Sequence, residues 1–232
     1  MFEALLDADR SLLLAINGAH TPYWDTVMWL YTGIWIWVPV AVTMLYALFR
    51  TAGWRETLWT LFVVVLLVLF CDRLPSMYIK PFFARLRPTH DPALAEWVNI
   101  VNGYRGGSYS FFSQHASNAA GIVTFTSLLF RNRYYTVTAV VWAAVTCWSR
   151  MYLGVHYPGD ITVGLMWGTA MAFAAYALYE RGRRSLFGAS PQPYKGTPLA
   201  RWVPTVIIVT VAAILIFSPL LKISAMTRFL CV

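Results

Sequence analysis

The chain has 232 residues, of which 59% are hydrophobic and only 12% are charged. Soluble domains are about one quarter charged, so this composition excludes an ordinary soluble protein and predicts an integral membrane protein with one domain, residues 1–232. The net charge of +8 does not indicate nucleic-acid binding, because no soluble segment carries a basic helix or a basic and aromatic loop; anionic lipid head groups and a phosphorylated substrate explain it better.

The first predicted element is an amphipathic helix over residues 1–20. Apolar residues from Phe2 to Ile16 recur at helical spacing, with acidic side chains between them. This pattern is typical of a helix that lies at the membrane interface. The Asn17-Gly18 pair is expected to turn the chain after it.

Six apolar stretches follow, and each is predicted to cross the membrane, because about 20 apolar residues span the hydrocarbon core. They are residues 26–49, 57–79, 112–130, 134–148, 161–179 and 202–221. Pro39 is expected to kink the first stretch, and Asp72 and Arg73 are expected to face protein or to pair at the interface. The predicted fold class is all-α: an integral membrane bundle of six transmembrane helices with an N-terminal interfacial amphipathic helix.

Six crossings would place the connecting segments on two faces of the membrane. Segments 50–55, 131–133 and 181–201 share one face, and segments 80–113 and 149–160 share the other with both termini. Each face carries nine lysines and arginines, so the positive-inside rule alone does not assign an orientation. It does so only when the cations expected to bind phosphate are left out of the count. The nine cations of the second face are Arg10, Arg73, Lys80, Arg85, Arg87, Arg105, Arg150, Lys222 and Arg228. The prediction is a bacterial-type inner (cytoplasmic) membrane protein whose second face is extracytoplasmic.

A first polar cluster, Lys80 and Arg87, lies seven residues apart at the end of the second stretch. If the segment is helical, the two cations are separated by about two turns and can reach one anion. Arginine offers a phosphate a planar fork, and lysine offers a point charge. The alternative is a basic collar that contacts lipid head groups.

A second cluster, Ser113 and His115, begins the third stretch. Backbone N–H groups at a helix N-terminus bind anions. The Ser113 hydroxyl adds a donor, and His115 can act as a general acid near neutral pH. The alternative is that Ser113 only caps the helix and His115 is an interfacial side chain.

A third cluster, Arg150, His156 and Asp160, precedes the fifth stretch. Arg150 adds a cation, and His156 is a plausible nucleophile whose imidazole Asp160 can orient. Pro158 suits the first turn of a helix, which leaves His156 just outside that helix and Asp160 inside it. The alternative is a hydrogen-bonded pair at a helix start without chemistry.

Taken together, the three clusters predict one phosphate-handling site on one membrane face. Two histidines and one aspartate among cations are a poor ligand set for a divalent metal. The site is therefore predicted to need no metal and no cofactor. The three cysteines, Cys71, Cys147 and Cys231, are expected to be small buried residues rather than ligands.

These segments resemble the three signature motifs of the type 2 phosphatidic acid phosphatase family, which read K-x6-R-P, P-S-G-H and S-R-x5-H-x3-D. Residues 80–88 match the first motif completely, and residues 149–160 match the third. The middle motif matches only at its Ser and His, because Phe112 and Gln114 replace the family's Pro and Gly. The resemblance covers about residues 55–180, the motif-bearing core.

The resemblance implies a role for each matching residue. His156 would attack phosphorus and form a phosphohistidine, Asp160 would orient it, and His115 would protonate the leaving oxygen. The groups that would hold the phosphoryl oxygens are Lys80, Arg87, Ser113, Arg150 and the backbone N–H of Gln114. Glycine permits a closer backbone approach than glutamine does, so the contact at Gln114 departs most from the family pattern. Arg85 and Arg105 have no counterpart in the motifs and are expected to face solvent or lipid head groups, with a second phosphate or a sugar as the alternative.

The implied function is a metal-independent phosphatase that hydrolyses a phosphomonoester or pyrophosphate of a membrane lipid. Candidate substrates are undecaprenyl pyrophosphate, phosphatidylglycerol phosphate, phosphatidate and the phosphates of lipid A. Alternatives are a lipid-to-lipid phosphotransferase of the same family and a non-catalytic lipid-phosphate binder or transporter. Vanadate-dependent haloperoxidases share the motifs but are soluble, which the six apolar stretches argue against. The expected partners are the substrate lipid and the bilayer.

Overall fold

The computed structural model describes residues 2–188 and 192–220, and the described chain is helical, as predicted. Its α-helices are α1 (Phe2–Gly18), α2 (Pro22–Thr32), α3 (Val38–Val68), α4 (Lys80–Phe83), α5 (Gln114–Phe130), α6 (Arg133–Tyr152), α7 (Pro158–Phe187) and α8 (Trp202–Phe217). Two π-helical segments, Leu69–Arg73 and Pro75–Ile79, lead from α3 to α4. Short 3₁₀ turns are Trp35–Trp37, Pro88–His90, Pro92–Leu94, Val101–Gly103, Pro198–Arg201 and Ser218–Leu220. The predictions for Leu221, Lys222, Arg228 and Cys231 fall outside the described residues.

The N-terminal helix α1 packs one face against the body of the protein. Leu13 and Ile16 are buried, whereas Leu12 on the other face is exposed, as expected for an amphipathic helix. At its end, Asn17 Nδ2 donates a hydrogen bond of 2.7 Å to the Tyr152 carbonyl of α6. The helix predicted for this segment is confirmed; its position at a membrane interface stays a prediction.

The first predicted span, residues 26–49, is wrong as a single helix. α2 ends at Thr32 because Gly33 takes an extended conformation, with φ −70° and ψ 136°. A new helical stretch begins at Trp35. Pro39 does not kink a helix but lies in the first turn of α3, where a missing N–H removes no helical hydrogen bond.

The predicted loop 50–55 is reduced to one residue inside α3. Gly53 has φ +74° and ψ 179°, a conformation that glycine adopts without a Cβ clash. The arms of α3 on either side of Gly53 both line one groove, with Val42 and Phe49 from the first arm and Leu58 from the second. The break is therefore a local change of direction rather than a loop.

Three helical stretches of the described chain are long and apolar enough to cross a membrane: Trp35–Phe83, Pro158–Phe187 and Pro198–Leu220. α5 and α6, with 17 and 20 residues, cover the third and fourth predicted spans. The structure does not confirm the count of six crossings, which stays a prediction.

The core contains a close contact between α5 and α7 that small residues make possible. A Cβ added at Gly168 would lie 2.1 Å from the Ser117 carbonyl oxygen, and one at Gly164 would lie 2.5 Å from the Ser113 carbonyl oxygen. The two backbones can approach this closely only where side chains are absent. The contact continues to the first residues of both helices, where the Ser113 N–H donates to the Asp160 carbonyl at 3.1 Å.

The fifth predicted span is extended by two turns, so that Arg181, Arg183 and Arg184 lie in α7 and not in the linker expected after residue 179. Arg183 is buried and lies 3.9 Å from the Glu56 carboxylate. The Tyr179 hydroxyl donates to the same carboxylate at 2.9 Å. These contacts with α3 hold the last turns of α7 in helical form.

Replacement of Gly168 by Ala is expected to destabilise the protein by about 1–3 kcal/mol, because the added methyl group must push α5 and α7 apart. The measurement is thermal unfolding of the purified protein in detergent. Gly107→Ala is the matched control, since a Cβ at that exposed glycine meets no atom within 4 Å. Equal melting temperatures for Gly168→Ala and the unsubstituted protein would contradict the packing argument.

Candidate active site

The segment that follows α4 brings the first cluster together by a turn and not by a helix. α4 ends at Ala84, whose left-handed φ of 46° and ψ of 25° stop the helical path, so the expectation of two cations two turns apart on one helix is wrong. Leu86 instead forms an isolated antiparallel bridge with Tyr109. This bridge folds residues 85–110 back on themselves.

The two cations of this cluster are buried and converge on the same backbone. Lys80 Nζ donates to the carbonyl oxygens of Tyr109 and Ser110, each at 3.3 Å. Arg87 Nε donates to the Tyr109 carbonyl at 3.2 Å. Gly106, with φ +66°, lies beside the Arg87 guanidinium, and a Cβ there would come within 2.6 Å of Nη1. The loop thus holds both cations in one place and leaves several of their N–H groups free for an anion.

Arg150 reaches the site from the last turn of α6 and is 1% exposed. Its guanidinium donates to the Thr32 hydroxyl at 2.5 Å and to the Tyr104 hydroxyl at 3.0 Å. Its Nε atom is buried and has no hydrogen-bond partner within the described residues. The contact with Thr32 depends on the end of α2 at that residue, which the sequence did not predict.

His156 and Asp160 form a buried pair at the start of α7. Pro158 occupies the first turn of the helix, as expected, with His156 outside it and Asp160 inside. His156 Nδ1 lies 3.6 Å from Asp160 Oδ2, and the same oxygen accepts the Tyr157 N–H at 2.9 Å. The pair is 1% and 0% exposed. Nδ1 thus faces the carboxylate but makes no hydrogen bond within the described residues.

The start of α5 lies beside this pair. Ser113 is the N-cap of α5, and its hydroxyl accepts the Ala116 N–H at 3.4 Å. His115 is exposed, and its electrostatic neighbours include Arg150, His156 and Arg87. The close packing of α5 on α7 therefore brings the second and third sequence clusters together.

The side chain of Gln114 bonds to the two π-helical segments, Leu69–Arg73 and Pro75–Ile79. Its side-chain Nε2 donates to the Asp72 carbonyl at 2.8 Å and to the Asp72 carboxylate at 3.1 Å, and it also contacts the Ser76 hydroxyl. Asn118 donates to the same carboxylate at 3.4 Å. Asp72 thus faces protein, as expected, and it also forms the expected pair with Arg73 at 3.9 Å, although the Arg73 side chain is 75% exposed. Gln114 anchors the π-helical segment to α5, and only its backbone N–H remains for the contact that the resemblance implies.

The prediction for the surroundings of Arg85 is wrong. Instead of facing solvent or lipid head groups, it forms ion pairs with Asp160 at 2.9 Å and with Asp9 of α1 at 2.6 Å. No sequence pattern predicts the ion pair of Asp9 with Arg85, because the two residues are 76 positions apart. Arg105 is exposed, as expected, and donates to the Thr89 carbonyl at 2.9 Å.

The electrostatics of the site favour a bound anion. Within the described residues, Lys80, Arg87 and Arg150 form no ion pair with an acidic side chain. Burial, together with the charge of Arg150, lowers the pKa of Arg87 to about 10. Burial and the cations of Arg87, Lys80 and Arg150 hold the pKa of His156 well below its ordinary value. The imidazole is therefore neutral at neutral pH and keeps a lone pair on one nitrogen.

The donor set does not form an evident metal site. Among the described residues, no group of three or more His, Cys, Asp and Glu side chains is placed to hold a metal ion. Cys71 and Cys147 are buried, as expected for small core residues. The predicted absence of a metal requirement stays a prediction.

Comparison with known proteins gives a family and two relatives that match nearly the whole chain. The PAP2 superfamily model matches residues 57–184. The lipid A 4′-phosphatase of Bacteroides thetaiotaomicron is 36% identical over 221 residues, which are 94% of this chain and 98% of that protein. The lipid A 4′-phosphatase of Porphyromonas gingivalis is 37% identical over 210 residues, which are 88% of this chain and 89% of that protein.

A more distant relative and a solved structure agree in fold. Phosphatidylglycerophosphatase B of Bacillus subtilis is 29% identical over 132 residues, which are 53% of this chain and 60% of that protein. The crystal structure of a transmembrane PAP2-type phosphatidylglycerolphosphate phosphatase from Bacillus subtilis superposes with a TM-score of 0.58 at 24% identity. The superposition covers 77% of this chain and 87% of the chain in that crystal structure.

Protonation of His156 is expected to occur well below about pH 6.5, the ordinary value for histidine, because burial and three cations disfavour the imidazolium. Nitrogen-15 NMR of histidine-labelled protein in detergent measures this titration, with the signal assigned by its loss in His156→Gln. Arg87→Gln removes one cation and is expected to raise the pKa toward the ordinary value. A His156 signal that titrates at or above that value in the unsubstituted protein would contradict the electrostatic argument.

Proposed function

The chain belongs to the PAP2 superfamily and is a membrane lipid phosphatase, and we propose that it removes the 4′-phosphate of lipid A by way of a phosphohistidine. The observation that carries the chemical part of this proposal is the buried, neutral His156, which has a carboxylate on one side. Three cations lie nearby, and none of them forms an ion pair within the part of the chain that the structure describes. The substrate part rests on the two lipid A 4′-phosphatases that match almost the whole chain.

In the first step, His156 Nε2 attacks the phosphorus of the substrate. Asp160, whose Oδ2 atom lies 3.6 Å from Nδ1, stabilises the positive charge that develops on the ring. Lys80, Arg87 and Arg150 hold the phosphoryl oxygens and balance the negative charge of the transition state. The bond from phosphorus to the sugar oxygen breaks as the bond to nitrogen forms.

His115 supplies the proton that the leaving sugar oxygen needs. Its exposed position at the start of α5 gives it access to a substrate above His156. Once the sugar has left, the neutral His115 accepts a proton from water, and the resulting hydroxide attacks phosphorus. The bond to His156 breaks, inorganic phosphate is released, and both histidines return to their first state.

A second candidate substrate is phosphatidylglycerol phosphate, which the similarity to phosphatidylglycerophosphatase B favours. That similarity extends over 53% of the chain, whereas the lipid A 4′-phosphatases match 94% and 88% of it. We therefore rank lipid A first. A lipid hydroxyl in place of water would make the protein a phosphotransferase.

The active face is proposed to be extracytoplasmic, in a bacterial-type inner membrane. The turn between α5 and α6 carries Arg131 and Arg133, and the last turns of α7 carry Arg181 and Arg184. These cations lie at the helix ends opposite His115 and His156. Basic residues without a part in catalysis favour the cytoplasmic side.

His156→Ala is expected to lower phosphate release by at least about 1,000-fold, because the nucleophile is lost. Release of inorganic phosphate from lipid A by the purified protein is the measurement, with thermal unfolding to show that the variant is folded. His20→Ala, at an exposed histidine between α1 and α2, is the matched control. Turnover by folded His156→Ala at the rate of the control would refute the nucleophile assignment.

The substrate proposal is tested by comparing four lipids: lipid A with only a 4′-phosphate, lipid A with only a 1-phosphate, phosphatidylglycerol phosphate and phosphatidate. We expect kcat/KM for the 4′-monophosphate to exceed the others by about tenfold or more, which corresponds to about 1.4 kcal/mol. A preference for phosphatidylglycerol phosphate would support the second candidate instead. Product analysis by mass spectrometry, with an acceptor lipid added, distinguishes free phosphate from a phosphorylated lipid.

A further inference from the structure

A chain of charged groups runs from the N-terminal helix to the carboxylate behind His156. Arg85 Nη1 donates to Asp160 Oδ1 at 2.9 Å, and Arg85 Nη2 donates to Asp9 Oδ2 at 2.6 Å. The other oxygen of Asp9 accepts the Gly159 N–H at 2.6 Å. Asp9 therefore holds both Arg85 and the first turn of α7, in which Asp160 lies.

Arg85 differs from the three cations assigned to phosphate. Both of its terminal nitrogens donate to carboxylates, and its Cζ atom lies 3.9 Å above the centre of the Tyr157 ring. Two acidic partners neutralise its charge, whereas Lys80, Arg87 and Arg150 have none within the described chain. Arg85 consequently has little left to offer a phosphoryl group.

Asp160 is held from two directions. Its Oδ1 atom accepts from Arg85, and its Oδ2 atom accepts the Tyr157 N–H and faces His156 Nδ1. The two contacts fix the rotation of the carboxylate. A fully buried charge is costly unless it is paired and hydrogen-bonded, and Arg85 is its guanidinium partner.

We propose that Arg85 is a positioning residue for the reaction: it holds the Asp160 carboxylate against His156, and Asp9 of α1 in turn holds Arg85. This inference rests on the proposed function of His156 as nucleophile. The N-terminal helix thereby contributes to catalysis without contacting the substrate.

The test is steady-state kinetics of Arg85→Gln, Arg85→Lys and Asp9→Asn on lipid A. Loss of a hydrogen-bond partner that orients a metal ligand typically costs about 10–100-fold in activity. By analogy, we expect kcat to fall by that factor in Arg85→Gln while KM changes by less than about threefold. Arg85→Lys, which keeps one donor and the charge, is expected to recover part of kcat. Asp9→Asn is expected to have a smaller effect in the same direction.

Two controls separate positioning from general damage. Asp7→Asn changes a neighbouring charge of α1, whose ion pair with Arg10 spans 4.0 Å at the surface, and it is expected to keep the original kcat. Thermal unfolding is measured for every variant. If Arg85→Gln unfolds, Arg85→Lys and Asp9→Asn carry the same comparison of kcat and KM.

A double-mutant cycle shows whether Arg85 acts through Asp160. In the Asp160→Asn background, measured with radiolabelled substrate, Arg85→Gln is expected to lower kcat no further, since residues that act as a unit are not additive. Additive losses, or a tenfold rise in KM with kcat preserved, would overturn the proposal and make Arg85 a substrate ligand. Full activity of His156→Ala would refute the proposed function itself, whereas an inactive His156→Ala with a fully active Arg85→Gln would refute only this inference.

Discussion

The buried carboxylate of Asp160 is the group on which the arrangement of this site depends. It has no exposed surface, and such a charge is tolerated only with an ionic partner and hydrogen bonds. Arg85 from the loop after α4 supplies the partner, and the Tyr157 backbone supplies a hydrogen bond. Both contacts require the loop to lie against the start of α7. The carboxylate that is proposed to orient His156 therefore also stabilises the local fold.

Lys80, Arg87 and Arg150 are buried near one another, and within the described residues none of the three forms an ion pair with an acidic side chain. Carbonyl oxygens of the loop accept hydrogen bonds from Lys80 and Arg87, and the Thr32 hydroxyl of α2 accepts one from Arg150. Mutual repulsion remains, and the lowered pKa of Arg87 reflects it together with burial. A phosphate that enters would relieve this repulsion. The same attraction between cations and phosphoryl oxygens is proposed to stabilise the transition state.

Helix packing decides how the two histidines meet. His115 belongs to α5 and His156 precedes α7, and the distance between them follows from the contact at Gly164 and Gly168. A methyl group at either glycine would meet a backbone carbonyl of α5. The geometry of the candidate site is therefore sensitive to Gly164 and Gly168, which carry no reactive group.

The sequence by itself indicated most of the groups that the structure brings together in the candidate site, but not Arg85 or Asp9. His156 and Asp160 lie within one short segment, where the residues alone predict a helix start at Pro158. The turn at Ala84 that brings Lys80 and Arg87 together was not predicted. Only the tertiary structure showed the break at Gly33, the ion pair of Arg85 with Asp9 and the hydrogen bond of Gln114 to Asp72. Each depends on the partner that a side chain meets across many tens of residues, such as the 76 that separate Asp9 from Arg85. A buried charge or amide takes whichever partner packing brings within hydrogen-bond distance, and periodicity and spacing carry no information about that partner.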